Sequence, residues 1–267
     1  MKIAFIGGGN MGEAILAALL NKKLAIVKDI NFSDISEARR QYLSQKYAVA
    51  VSPNNIETIT GKDIILLAIK PQTLPTVMAE MKGHIKPNQL VLSIIAGARL
   101  AKLSEGLNHQ SIVRSMPNTP AQIGEGVTMW TTTKEVTEQQ KKTAGIILGA
   151  MGKEFYAANE GMLDMATAVS GSGPAYLFYF IEAMIDAAVK IGLPRDMAKE
   201  MVIGTVLGAG HLVVQSGKEP AELRRMVTSP GGTTAEAIAT FEKGSFSELV
   251  YQAIKAAYEK SQKLGQG

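Results

Sequence analysis

The chain of 267 residues contains no cysteine. That absence excludes a disulfide-stapled scaffold, a thiol nucleophile, a thiolate zinc site and an iron–sulfur cluster together. It also leans towards a cytoplasmic protein, because a chain in a reducing compartment has no use for bridges. Histidine is scarce. His84, His109 and His211 have no ligand spacing between them, so no metal site is expected. Charge of one sign is scarce too: 28 Lys+Arg against 24 Asp+Glu leave +4, with no basic block. A nucleic-acid partner is therefore not expected. Nor is a membrane. The longest apolar run, Met201–Val214, is interrupted by Thr205, His211 and three glycines, and it falls short of the ~20 residues a bilayer core requires. At the start, only Ile3 to Ile6 are apolar before glycines intervene, too few for a secretory segment.

What is present is a globular composition, 46% hydrophobic and 19% charged. The hydrophobic pattern divides the chain. Over residues 1–158, short apolar runs alternate with helical periodicity. Lys2–Ile6, Ile30–Ser33, Ala48–Val51, Asp63–Ile69 and Leu90–Ala96 read as strands, and Ile112–Ser115, Val127–Thr131 and Glu154–Ala157 as extensions of the same sheet. The runs at 63–69 and 90–96 are nearly continuous, as strands buried on both faces require. Strand–helix alternation implies a doubly wound α/β domain. Over residues 159–267 strand signals stop, and an all-helical domain is expected. Pro174–Lys190 is a long helix with proline in its first turn and Gly192 past its end. Further helices start at Pro194, Pro220, after Gly231-Gly232 and at Phe246. The second of these five carries Gly204, Gly208 and Gly210, which leaves two readings: a tightly packed core helix, or a close crossing at a subunit interface.

The first strand runs into Gly7-Gly8-Gly9-Asn10-Met11-Gly12, a G-x-G-x-x-G turn that opens an amphipathic helix. Its first glycine permits the turn, its second lets a pyrophosphate reach the backbone, and its third lets helix and strand pack. The helix start supplies amides and positive potential for phosphate. In this context the turn points to dinucleotide binding. No Lys-Ser/Thr pair follows Gly12, so a nucleoside-triphosphate loop is disfavoured. At the end of the second strand, Asp34 stands where an acid would hold a ribose 2′-hydroxyl, while Ser33 with Arg39 or Arg40 could receive a 2′-phosphate. Asp34 could equally cap the helix near Glu37. NADPH and NADH stay open on this reading.

A second glycine-rich turn, Val227 to Glu236, joins two helices late in the chain. Its hydroxyls and backbone amides would form a small anion pocket, unless Thr228 or Ser229 simply caps the following helix. Together with Ala68-Ile69-Lys70-Pro71-Gln72, Arg114-Ser115-Met116-Pro117-Asn118-Thr119-Pro120, Ser170-Gly171-Ser172-Gly173-Pro174-Ala175-Tyr176 and Gly192-Leu193-Pro194-Arg195, these turns appear in an order that resembles the pyrroline-5-carboxylate reductases. The resemblance spans essentially the whole chain, and Val227-Thr228-Ser229-Pro230-Gly231-Gly232-Thr233-Thr234 is its most specific part.

The resemblance implies a Rossmann domain followed by a helical dimerisation domain, and reduction of 1-pyrroline-5-carboxylate to L-proline with NADPH or NADH, the last step of proline biosynthesis. It implies a homodimer, with decamers of five dimers as a further assembly. Cofactor contacts are implied at Ile6, Gly7, Gly8, Gly9, Asn10 and Met11; at Ser33, Asp34 and Asn55 on the adenosine side; at Ala68, Ile69, Lys70 and Pro71; and at Ala96 and Gly97 beside the nicotinamide. Glu160 is implied at the border of the cofactor. The substrate carboxylate is implied at Ser229, Gly232, Thr233 and Thr234, in a loop that can complete a site with a neighbouring subunit, and the Thr234 hydroxyl near the ring nitrogen is the implied catalytic group. Met226 departs from members with a polar residue there.

A protonated imine is already electrophilic, so hydride transfer to it needs positioning and exclusion of water more than a strong acid. Two rival readings fare worse. A 3-hydroxyacid dehydrogenase of the 6-phosphogluconate type needs a helix lysine after its glycine-rich turn, and none occurs here before Lys190. A dinucleotide-gated regulator needs an output surface such as a basic helix.

Overall fold

The computed structural model describes residues 1–265. Eight strands, β1 (Ile3–Ile6), β2 (Ile30–Ser33), β3 (Ala50–Ser52), β4 (Ile64–Leu67), β5 (Leu90–Ser93), β6 (Ile112–Met116), β7 (Gly126–Thr132) and β8 (Gly152–Tyr156), form one sheet in the order β3-β2-β1-β4-β5-β6-β7-β8. The first six are parallel neighbours. Between the strands lie α1 (Asn10–Asn21), α2 (Glu37–Tyr47), α3 (Asn55–Ile59), α4 (Leu74–Met81), α5 (Leu100–Leu107) and α6 (Glu138–Gly149). Alternate residues of each central strand enter opposite cores. Ile3, Phe5, Ile64 and Leu66 pack with Ile15, Leu16 and Leu19 of α1, whereas Ala4, Ile6, Ile65 and Leu67 pack with Leu74, Met78 and Leu103 of α4 and α5. Both faces are covered, which is why these strands read as unbroken apolar runs.

One departure from the parallel expectation is β7, which pairs antiparallel with β6. Only a 3₁₀ turn, Thr119–Ile123, separates them, and a link that short cannot make a parallel crossover. Asn118 braces the turn by accepting from the Val127 amide at 2.8 Å. After β7, α6 supplies a full crossover and β8 is parallel again. Several strands are shorter than their apolar runs. β4 stops at Leu67 because the Ala68 carbonyl closes against Gly7, and β5 stops at Ser93, whose hydroxyl accepts from the Ile95 amide at 3.2 Å.

The chain forms two compact units, one of residues 1–172 together with the chain from Ala257 onward, the other Gly173–Ala256. This division follows contacts, whereas the expected one at residue 158 follows the end of the strand signals. After β8 the chain forms α7 (Met162–Ala166) and a π-helical turn, Thr167–Gly171. Both are bonded to the sheet side, Asp164 to Arg114 and the Ser170 carbonyl to Asn118.

The second unit holds α8 (Gly173–Lys190), α9 (Arg195–Ser216), α10 (Pro220–Met226), α11 (Thr233–Lys243) and the start of α12 (Phe246–Leu264), whose last turns belong to the first unit. In the second unit only Ala198 and Val202 are buried. Phe178, Tyr179 and Val214 are 62%, 74% and 71% exposed, and a β-carbon built on Gly204, Gly208 or Gly210 meets nothing within 4 Å. The glycines of α9 therefore do not serve a core within one chain. By length and composition α9 would also satisfy a membrane-crossing helix, although the interrupted run in its sequence does not. An apolar face of this extent calls for a covering partner.

Candidate functional site: a dinucleotide cradle and a hydroxyl-rich helix start

At the carboxyl ends of β1, β2, β4 and β5, the usual ligand edge of an open α/β sheet, the first unit gathers the residues expected at a dinucleotide. The glycine turn has three different jobs. Gly7 has φ +96°, and a β-carbon there would lie 2.6 Å from the Ala68 carbonyl oxygen. Gly12 abuts the Gly7 carbonyl, where a β-carbon would lie at 2.7 Å. Gly9 faces open space, with nothing within 4 Å of a β-carbon. It is the N-cap of α1, and no side chain caps that helix. A close backbone approach with uncapped amides is what a pyrophosphate needs, so the cradle fits the cofactor that the motif implies.

The turn is held from α2. Arg39 donates from Nε to the Gly8 carbonyl and from Nη2 to Glu13, which also accepts from Lys46 (2.8 Å), Tyr42 (3.0 Å) and Tyr47 (2.8 Å). Glu13 is thus the hub of a clamp between α1 and α2. Burial alone would raise its pKa, but the hydrogen bonds from Lys46, Arg39, Tyr47 and Tyr42 outweigh it and lower the value to about 2. The clamp contributes fully above the ordinary carboxylate pKa near 4.5 and is lost as pH falls towards 2. Glu13→Gln is expected to cost about 1.5–3 kcal/mol at pH 7. In urea titrations the gap from wild type closes between pH 4.5 and 2; a pH-independent gap contradicts the clamp.

Asp34 does not cap α2; Ser36 does, accepting from the Arg39 amide. The Asp34 carboxylate instead accepts from the Gly8 amide at 2.8 Å and from the Ser36 amide at 2.8 Å. Arg40 is bound to the Asp34 and Ile35 carbonyls, so both arginines near β2 are engaged within the chain. Ser33 is buried and donates to Asn55 Oδ1, and Asn55 donates on to Glu80 at 2.8 Å. Ser33, Asp34 and Asn55 therefore stand together with the glycine turn. Ala68 continues it, its amide donating to the Ile6 carbonyl at 2.8 Å. Ile69 follows, and Lys70 lies beyond β4 at the head of the 3₁₀ turn Pro71–Thr73, where its carbonyl accepts from Thr73. In the turn after β5, Ala96 is exposed and Gly97 has φ +75°. Glu160 joins this group from α7's side, accepting from the Leu100 amide at 2.9 Å and so capping α5 from outside.

The second unit holds the other expected residues. Thr228 is no cap, because its hydroxyl donates to the Arg224 carbonyl at 2.6 Å. The N-cap of α11 is Gly232, with no side-chain bond. Gly231 has φ +71°, and a β-carbon on Gly232 would lie 2.6 Å from Ser229 Oγ. Ser229, Gly232, Thr233 and Thr234 thus surround one uncapped helix start, a set of donors suited to a small carboxylate.

Comparisons with known proteins bear on both units. The model "Pyrroline-5-carboxylate reductase dimerisation" matches residues 160–264, and "NADP oxidoreductase coenzyme F420-dependent" matches residues 2–97. A pyrroline-5-carboxylate reductase of Synechocystis is 41% identical over 99% of this chain and 98% of its own length. This chain belongs to the pyrroline-5-carboxylate reductase family. Among solved structures, a pyrroline-5-carboxylate reductase from Coxiella burnetii superposes with TM-score 0.91 at 32% identity, covering 98% of each chain. The Plasmodium falciparum pyrroline carboxylate reductase, solved with NADP bound, gives 0.89 at 33% identity over 99% of this chain and 98% of that one. Membership accounts for the fold, a Rossmann domain followed by a helical dimerisation domain.

Sequence reasoning missed the partners of Glu160. Arg114 interrupts the apolar run Ile112-Val113 and is 3% exposed, yet a lone charge in a strand does not announce which carboxylates meet it. Those prove to be Glu160, at 2.7 Å, and Asp164, at 3.9 Å.

Proposed function

We propose that the protein reduces 1-pyrroline-5-carboxylate to L-proline with NADPH or NADH, as the last enzyme of proline biosynthesis in the cytoplasm. The observation that carries this reading is the full-length relationship to a pyrroline-5-carboxylate reductase at 41% identity, in a chain whose glycine turn leaves the Gly9 space open. Residues 1–158 bind the dinucleotide at Ile6–Met11, Ser33, Asp34, Asn55, Ala68–Pro71 and Ala96–Gly97, and Glu160, just past that domain, borders it. Residues 159–267 bind substrate and a second subunit. The protein self-associates through the matched dimerisation module, and the exposed apolar faces of α8, α9 and α12 support a homodimer, with a decamer of five dimers as its higher assembly.

When bound, the reduced nicotinamide supplies the hydride. The chain's part is to hold the acceptor. Gly232 shapes the pocket, its amide closing the turn onto the Ser229 carbonyl at 3.0 Å, and the amides of Thr233 and Thr234 with the Ser229 hydroxyl bind the substrate carboxylate, which fixes the ring. The Thr234 hydroxyl accepts from the protonated imine nitrogen and orients it. As hydride adds to carbon, the C=N π electrons move to nitrogen, so no strong acid is required of the protein.

Thr234→Ala is expected to lower kcat by about tenfold or more, the value of one good hydrogen bond to a charged group. Fluorescence titration with NADPH should show unchanged cofactor affinity, and Thr234→Ser should restore most of the rate. Wild-type kinetics in the alanine variant would remove Thr234 from the mechanism.

A further inference from the structure

Around Glu160 the first unit builds a closed ionic cluster. Arg114 of β6 donates from Nη1 to Glu160 at 2.7 Å, and its Nη2 lies 3.9 Å from Asp164. Asp164, only 2% exposed, is bound by Arg99 at 2.5 Å and by the Ser261 hydroxyl of α12 at 2.9 Å. The Glu160 oxygen that meets Arg114 also accepts from the Leu100 amide. Two guanidinium groups balance two carboxylates, and every carboxylate has more than one donor, which buried charge requires.

The links converge on one segment, the turn from Ile94 to Leu100. Its start is tied to the sheet by the Ile94 amide, which donates to the Leu67 carbonyl at 3.1 Å. Its end is tied to the cluster through the Arg99 side chain and the Leu100 amide. Its middle rests on the last turn of α12: a β-carbon on Gly97 would lie 3.2 Å from the Leu264 carbonyl oxygen, and one on Gly265 would collide with the Arg99 guanidinium. A buried ion pair contributes little net stability compared with apolar groups of the same volume. What apolar groups cannot do is fix a turn directionally, from a strand, a helix and the chain's terminal helix at once.

We infer that Arg114, Asp164 and Ser261 are positioning residues: they set the Ala96–Gly97 backbone through Arg99, Leu100 and the seated end of α12. The catalytic consequence rests on the proposed function, in which Ala96 and Gly97 face the nicotinamide. The structural part stands apart from it.

Ser261→Ala removes one hydroxyl and no charge, and the full-length enzyme carries the test. Amide exchange of residues 94–100 should quicken roughly fivefold, the value of one lost hydrogen bond, without a global rise. With pyrroline-5-carboxylate, kcat should fall about threefold to tenfold while its KM stays within about twofold, and the isotope effect with 4-deuterated NADPH should rise as hydride transfer becomes slower. Ser261→Thr should restore both readouts. Asp164→Asn, which keeps the shape, is expected to act in the same direction more strongly. Exchange at 94–100 unchanged in both variants, or a rate loss that threonine does not restore and that leaves the isotope effect unmoved, overturns the inference. An inactive wild-type enzyme with faster exchange in Ser261→Ala overturns the proposed function and the catalytic consequence, and supports the positioning contacts.

Discussion

Gly9→Val is expected to leave the protein folded and to weaken dinucleotide binding by about tenfold to hundredfold, whereas Gly7→Ala should damage both folding and binding. The two glycines sit in one turn and differ in what surrounds them. Gly9 has φ −64° and ψ −179°, extended values open to any residue, and its β-carbon direction is empty. A valine there strains nothing in the free protein. It fills the space through which a pyrophosphate would reach the amides at the start of α1, and each charge-assisted hydrogen bond lost there costs about 1.5–3 kcal/mol. Gly7 has φ +96°, and its β-carbon would press on the Ala68 carbonyl at 2.6 Å and the Ile69 side chain at 2.9 Å. Strained backbone costs about 1–3 kcal/mol before that collision is counted, and relief requires β1 and β4 to part. Thermal melts read the folding, and quenching or enhancement of NADPH fluorescence reads the binding. Normal NADPH affinity in Gly9→Val would mean the cradle lies elsewhere.

The second large effect belongs to Arg114. Arg114→Leu should destabilise the protein by about 3–5 kcal/mol, because removing one member of a buried ionic group strands the others. Asp164 would stay buried with Arg99 and Ser261, while Glu160 would keep only the Leu100 amide. For a chain of this size each kcal/mol shifts Tm by about 2–4 °C, so a drop near 10 °C is expected at fixed protein concentration. The charge-balanced double variant Arg114→Leu with Glu160→Leu should recover part of that loss, since it removes an orphaned carboxylate along with its partner. Denaturation midpoints of wild type, both single variants and the double variant measure the coupling, and Arg114→Leu as stable as wild type would show that Arg114 is not buried as described.

These two expectations separate what was readable in the residues from what was not. The strands, the five helices of the second half and the division of labour within the glycine turn follow from local rules. Continuous apolar runs mark strands covered on both faces, proline and Gly192 mark the limits of α8, and the spacing of Gly7, Gly9 and Gly12 marks a turn against a helix. The Thr228–Thr234 turn was equally visible, though whether Thr228 or Ser229 capped α11 was not. That choice depends on where one hydroxyl points, and Thr228 turns back to Arg224.

Sequence alone therefore determined the order of strands and helices, the place of the dinucleotide turn and the hydroxyl-rich helix start, because each is written within a few neighbouring residues. The antiparallel β7, the Glu13 clamp between α1 and α2, and the return of α12 to the sheet were decided only by the folded chain. The Arg99–Arg114–Glu160–Asp164–Ser261 cluster joins residues from across the chain. Its four charged members look like ordinary surface charges until the fold buries Arg114 and Asp164, which takes them out of water and obliges them to find partners.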